Sequence, residues 1–393
     1  MFLFSDFYQI RSIMSVKQKI STKSLVCYFI IVVIFAITRM LSAFGVFDVL
    51  GDSFDYIFNV IIQVVILFGL SVLLFSVMTK NKPRDTFKFF GYKKISAKAV
   101  LISIGIGVIV YFLNVFVASF FNVLLALFGY SSSSSSITLS SYPFWLFLVN
   151  VLVSAVLPGI CEETAHRGLL LKGLSGHGQK TALILSSLLF GLMHMNIDQF
   201  FYATLIGFLV GYLALICDSI YPAMIIHFMN NFLSTFAGYS SFNNLGFESI
   251  INGFNVVLQR SFILGFLLIA VFVAGLALLL KVLIKMLFKE TTVKNMTNLQ
   301  DRLIKQIQKE NYLKELEKTA KNEEITEPNS ISFEEFDKLY KQNNVELGLM
   351  SNLEKQTLNE PPVKTSLFAK FLLAGIFIIT AGVTIFTFVW GVL

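Results

Sequence analysis

Three short stretches of this 393-residue chain set ionisable side chains into otherwise apolar segments: Glu162–Glu163 with Arg167, His194 behind Phe190, and His227 with Asn231. Such groups are costly at membrane depth, and each is a functional-site hypothesis by default. Glu163 and Arg167 are four residues apart, so on a helix they face each other and their pairing neutralises one carboxylate. Glu162 then lies about a quarter-turn away on another face. An unpaired carboxylate in a low-dielectric pocket suits a general base working near neutral pH. The bland reading is an ion pair at a helix end, but one arginine cannot pair two adjacent glutamates. His194 shares a face with Phe190, which can wall off water or hold the ring; a lone histidine there usually bridges helices. His227 and Asn231 share a face at the same spacing, and both can donate towards a developing oxyanion. Singly, either histidine reads equally well as packing; with the glutamate pair, the three clusters read as one site.

Other titratable residues are weaker candidates. His166 follows Glu162 by four residues and can be mistaken for a metal ligand. Glu162, His194 and His227 form the two-histidine, one-carboxylate set of catalytic zinc. Asp198 and Asp218 lie near the ends of apolar runs and read as interfacial. His177 sits in a polar, glycine-containing stretch and reads as exposed. Cys27, Cys161 and Cys217 have the spacing of no metal motif and read as buried fillers; Cys161 has no cationic neighbour except Arg167 to make it a thiolate.

The elements that must carry these residues are apolar. The chain is 55% hydrophobic and only 14% charged, with mean hydropathy +0.74, whereas a soluble domain carries about 25% charged residues. It is an integral membrane protein of the all-α class. Apolar runs near 24–44, 56–78, 99–128, 143–160, 181–197, 199–217, 221–238, 262–284 and 367–391 predict nine spans, an eight-span core plus a ninth C-terminal one. The basic segments are 11–23, 80–98, 167–180 and 281–294, while loops 45–55, 129–142 and 238–261 contain one basic residue, Arg260. Alternation along the spans puts the N-terminus and the basic segments on the cytoplasmic side of the cell membrane. Residues 289–365 hold 12 Lys/Arg and 14 Asp/Glu, so this charged stretch is net −2 within a chain of net charge +7. The remaining excess of cations reports topology, and no basic stripe with interleaved aromatics suggests nucleic-acid binding.

Four regions follow: a cytoplasmic segment 1–23, a membrane core 24–288, a charged cytoplasmic helical insertion 289–365 and a C-terminal transmembrane helix 366–393. In the insertion, Leu299, Leu303, Ile307, Leu313 and Leu316 recur at helical spacing. Ser332 with Glu335 forms a capping box for a second small helix, and Pro361–Pro362 ends the region. A solvated connector and a site for a protein partner both fit it. The six serines Ser131–Ser136 read as a flexible linker.

Glu-Glu-x-x-x-Arg (Glu162, Glu163, Arg167), then Phe-x-x-x-His (Phe190, His194), then His-x-x-x-Asn (His227, Asn231), in this order on successive membrane helices, resembles the CPBP family. That family contains type II CAAX prenyl endopeptidases and bacteriocin-processing and immunity proteins. The resemblance extends over about residues 20–290 and includes Phe90-Gly91-Tyr92-Lys93-Lys94 after the second span. It implies an intramembrane endopeptidase near the cytoplasmic leaflet, acting on a prenylated CAAX-type C-terminus or a membrane-associated precursor peptide. By motif position, Glu162 would activate water with His194 assisting. His227 and Asn231 would hold the oxyanion, and Glu163 with Arg167 would hold the helix. Both metal-free and zinc-dependent chemistry fit such a site. The metal-free form is preferred because Asn231 and a paired Glu163 are poor zinc ligands, so no cofactor is expected. Two rivals remain: a proton-coupled transporter, for which no internal repeat is evident, and a non-catalytic scaffold or immunity protein.

Overall fold

In lipid the backbone can satisfy its hydrogen bonds only internally, and long runs of Leu, Ile, Val and Phe therefore become helices. The computed structural model describes residues 2–47, 51, 53–131, 141–247, 249–320 and 365–392, and among them every regular element is helical. The first is α1 (Phe2–Ala43). Then α2 (Ser53–Val60) continues through a π-helical stretch, Ile61–Gly69, into α3 (Leu70–Thr79). The short α4 (Pro83–Phe89) and long α5 (Ala97–Leu127) follow. Next, α6 (Phe144–Val151), π-helix Leu152–Val156, α7 (Leu157–Glu163), π-helix Thr164–Leu171 and α8 (Lys172–Leu174) run on from one another. The chain continues as α9 (Gln179–Met193), α10 (Ile197–Ile216), α11 (Tyr221–Phe242), α12 (Ser249–Arg260), α13 (Phe262–Ala320) and α14 (Leu367–Val392). The serine run from 132, the capping box at Ser332 and Pro361–Pro362 lie outside the described residues.

Two compact units are present. Residues 1–287 with 361–393 form the membrane bundle, and residues 288–360 form a second unit through which α13 runs as far as Ala320. In the bundle, α1 packs on α14 and α3, α5 on α11, α9 on α10, and α11 on α7.

Among the described residues, seven helical stretches are long and apolar enough to cross a membrane, two fewer than the apolar runs suggest. The two that fall short carry the candidate histidines. Helix α9 has only 15 residues, about 22 Å of rise against a hydrocarbon core of roughly 30 Å. Helix α11 has 22 residues, but Asn230, Asn231, Ser234, Thr235, Ser240 and Ser241 lower its hydropathy. The chemistry itself is what makes these segments look less like spans.

Two further expectations are corrected. The basic stretch from 167 is not a loop: helix continues to Leu174, and Arg167 is turned inward and is 1% exposed because Glu163 neutralises it. His177 is buried rather than exposed, its Nε2 2.6 Å from the Ser21 hydroxyl of α1. The true basic surface gathers around Asp218, whose carboxylate accepts from Lys172 at 2.9 Å and from Lys93. Burial works against ionisation of Asp218, but the two lysines outweigh it and hold its pKa below the usual carboxylate value.

Helices α9 and α10 cross where Gly191 meets Thr204 and the Phe200 carbonyl, and a Cβ at Gly191 would stand 2.7 Å from that carbonyl oxygen. Without a hydrophobic driving force between helices in lipid, such small-residue crossings set the spacing. Gly191→Val is expected to cost about 1–3 kcal/mol through overpacking, read as a lower unfolding temperature in detergent; an unchanged temperature would contradict the crossing. Asp218 supplies a second test. A depressed folded pKa contributes stability that is present above the unfolded value of about 3.9 and lost as pH falls through the folded value. Asp218→Asn should flatten that acid limb of the unfolding-temperature profile, modestly because the side chain is 47% exposed.

Candidate active site

Glu162 and Glu163 end α7, where the helix widens into the π-helical stretch Thr164–Leu171. π-Turns inside helices occur frequently at functional sites, since the extra residue re-aims side chains. Glu163 points into the bundle and is 0% exposed. Its Oε1 accepts from Arg167 Nη1 at 2.9 Å and from His227 Nδ1 at 2.8 Å. Arg167 also donates from Nη2 to the Gly207 carbonyl of α10 at 3.1 Å, and its guanidinium lies 4.2 Å over the Phe190 ring. Phe190 is the common neighbour of three imidazoles: His166, His194 and His227 meet it edge-on, with centroids 4.9, 5.1 and 5.6 Å away.

Glu162 points the other way. Gln63, in the π-helical stretch after α2, donates to its Oε1 at 2.8 Å. The other oxygen, Oε2, lies 3.9 Å from His227 Nε2. The carboxylate is thus tethered at one oxygen, and the other has no hydrogen-bond donor among the described residues.

The tautomers follow from the partners. His194 Nδ1 is 2.9 Å from the Phe190 carbonyl; a carbonyl only accepts, so Nδ1 carries hydrogen and the Nε2 of a neutral ring is left as a base. His227 Nδ1 likewise donates to Glu163, which turns Nε2 towards Glu162. His194 caps α9, and the next residue, Met195, adopts φ +48° and ends the helix.

A cavity of about 210 Å³ joins part of this set. Glu162, His194, His166 and Gln63 line it, with Arg39 from α1 and Asn59 from α2. His227 and Asn231 are not among its lining residues. His227 is buried behind Glu162, and Asn231 uses its amide to donate to the Ser154 carbonyl at 3.1 Å while accepting from Asn230 at 3.0 Å. The arrangement brings Glu162 and His194 to one cavity with room for several waters, with His227 immediately behind. Asp198 accepts from the Tyr130 hydroxyl at 3.0 Å.

Gln63, His166 and Arg39 enter the site without having been singled out for it. Gln63 is the one amide in Ile61-Ile62-Gln63-Val64-Val65, and Arg39 the last cation of an apolar helix. Lone polar residues within apolar runs were the available signal. His166 lines the cavity as a neighbour of Tyr28, whose hydroxyl is 3.1 Å from its Nδ1.

Among the described residues, no three His, Cys, Asp or Glu side chains are grouped so as to hold a metal ion.

Residues 143–233 match the family model for type II CAAX prenyl endopeptidase Rce1-like. That segment, 91 of the 393 residues, is what the chain shares with the type II CAAX prenyl endopeptidases. The matched segment runs from α6 into α11 and contains every motif residue from Glu162 to Asn231; it is narrower than the 20–290 over which the sequence resembles the family. No curated protein and no solved structure matches the chain.

The Glu163–Arg167 pair yields a stability test. Removing one member of a buried pair strands a charge and costs about 3–5 kcal/mol. Arg167→Met should lower the unfolding temperature in detergent sharply. Arg167→Lys should recover only part, because an ammonium lacks the fork that reaches Glu163 and the Gly207 carbonyl together. A neutral result for Arg167→Met would contradict the structural role.

Proposed function

We propose that this protein is an intramembrane endopeptidase in which Glu162 and His194 activate water for attack on a peptide carbonyl. The observation that carries the reading is the meeting of one unbonded carboxylate oxygen and one imidazole nitrogen on a single cavity. Water between them loses a proton to Glu162 Oε2 while His194 Nε2 accepts its second hydrogen bond. The new C–O bond puts negative charge on the former carbonyl oxygen. Asn231 has a second amide hydrogen that can donate to it, and His227 Nε2 can do the same once that nitrogen carries a hydrogen. Glu162 then returns its proton to the departing amine as the C–N bond breaks. Glu163, Arg167 and Phe190 hold the acting groups without touching substrate.

Glu162 lies ten residues from Lys172 along its helix, about 15 Å. The substrate class is a membrane-associated peptide: a prenylated CAAX-type C-terminus or an apolar precursor. Glu162 and His194 supply the metal-free chemistry from side chains alone.

The test is cleavage of a fluorogenic CAAX-type or precursor peptide by the purified full-length protein. Glu162→Ala and His194→Ala should each lower the rate about 100- to 10,000-fold, and chelator should leave the wild-type rate unchanged. Cleavage that persists in Glu162→Ala would sink the mechanism. Activity lost in chelator and restored by zinc would replace it with a metal-dependent one.

A further inference from the structure

A second and larger cavity, of about 840 Å³, adjoins the first. Arg39, Asn196 and Gln199 line both. The walls of the larger chamber are chiefly apolar, with Met40 and Phe44 from α1, Met195 beyond α9, and Val383 and Phe386 from α14. Helix α14 lies outside the segment matched by the family model.

Arg39 stands at the junction. It lies within the apolar span Gln18–Ala43, yet no carboxylate or other hydrogen-bonding partner meets its guanidinium among the described residues. Arg167, the other arginine of the site, is by contrast paired with Glu163 and the Gly207 carbonyl. The chamber's own acid, Asp198, accepts a hydrogen bond from the Tyr130 hydroxyl. The amides at the junction, Asn196 and Gln199, are neutral. The Arg39 side chain is exposed, and its unneutralised guanidinium presents a planar fork suited to a carboxylate.

We propose that Arg39 is the anion-binding residue of the site, receiving the free α-carboxylate at the C-terminal end of a peptide substrate. The apolar side chain of that terminal residue enters the adjoining chamber. The assignment rests on the endopeptidase reading, and it makes the enzyme selective for a peptide bond close to a free, apolar C-terminus. Helix α14 then acts as a specificity wall.

The test measures binding apart from cleavage. Full-length Glu162→Gln protein in detergent is titrated with a fluorescent peptide bearing a free C-terminal carboxylate, and with the same peptide as its amide. The acid should bind about 10- to 100-fold more tightly, the range of a charge-assisted hydrogen-bonded pair. Adding Arg39→Gln should bring the ratio close to one, and Arg39→Lys should keep part of it. Because Arg39 has no protein partner to lose, both variants should retain the parent unfolding temperature. A Cβ at Gly382 meets nothing within 4 Å, so Gly382→Leu narrows the chamber without a clash. It should weaken peptides ending in Phe more than those ending in Ser; equal weakening would remove the chamber from the proposal. Equal binding of acid and amide would overturn the role of Arg39 and leave a side chain that reaches for the interface. Phosphatidylglycerol bound through Arg39, with no acid preference among peptides, would reassign it to a lipid phosphate and also overturn the proposal. Cleavage by wild-type protein is scored separately: acid-selective binding without cleavage would sink the endopeptidase reading while sparing the anion site.

Discussion

One carboxylate oxygen organises the bundle around the site. Glu163 Oε1 accepts from Arg167 on its own helix and from His227 on α11, while Arg167 reaches the Gly207 carbonyl on α10 and stacks on Phe190 of α9. Four helical segments are therefore tied through one buried charge pair. In lipid-like surroundings neither charge can be left alone, so the geometry of each helix is conditional on the others. The pair does not by itself make the bundle more stable than an apolar core would. It makes one arrangement of the bundle far less costly than its neighbours, which is what an active site requires.

That constraint separates the two adjacent glutamates. Glu163 is consumed by structure, and Glu162, one residue earlier, is turned to the cavity and tethered at a single oxygen by Gln63. The π-helical widening directly after Glu163 lets the chain keep the Glu163–Arg167 contact while burying His166 against Tyr28. Gln63 itself comes from a second π-helical stretch. Irregular helix is tolerated at membrane depth where it lines a polar cavity, and both stretches do so here.

Much of this was legible in the residues. The all-helical membrane class follows from composition, and the i,i+4 spacing of Glu163 and Arg167 foretold their contact. Other features were hidden for identifiable reasons. Periodicity of apolar residues cannot distinguish a span from a shorter helix that ends inside the bundle, so α9 read as a crossing. A cation near a helix end reads as topology, and Arg167 shows that its partner decides whether it faces water. His177 looked exposed because glycine and polarity surround it in sequence, whereas its partner, Ser21, is 156 residues away. Long-range pairings such as Gln63 with Glu162 leave no local pattern at all.

Hydrolysis inside a membrane needs water where lipid excludes it, and the site must hold water without opening the bundle. The lining of the catalytic cavity answers this by dividing its chemistry between walls. Asn59, Gln63, Asn196 and Gln199 give it amides, which hydrate a space without carrying net charge, while Phe35, Ile62, Leu67 and Met193 close the rest. Arg39 adds a permanent cation to the same lining, and neither it nor the amides can take a proton from water in place of Glu162. The short α9 belongs to the same solution, since its early end at His194 brings the polar turn Met195–Asn196 to the depth of the cavity. The two features that made α9 an inadequate span, its length and its terminal histidine, are thus what allow a polar chamber to exist between apolar helices.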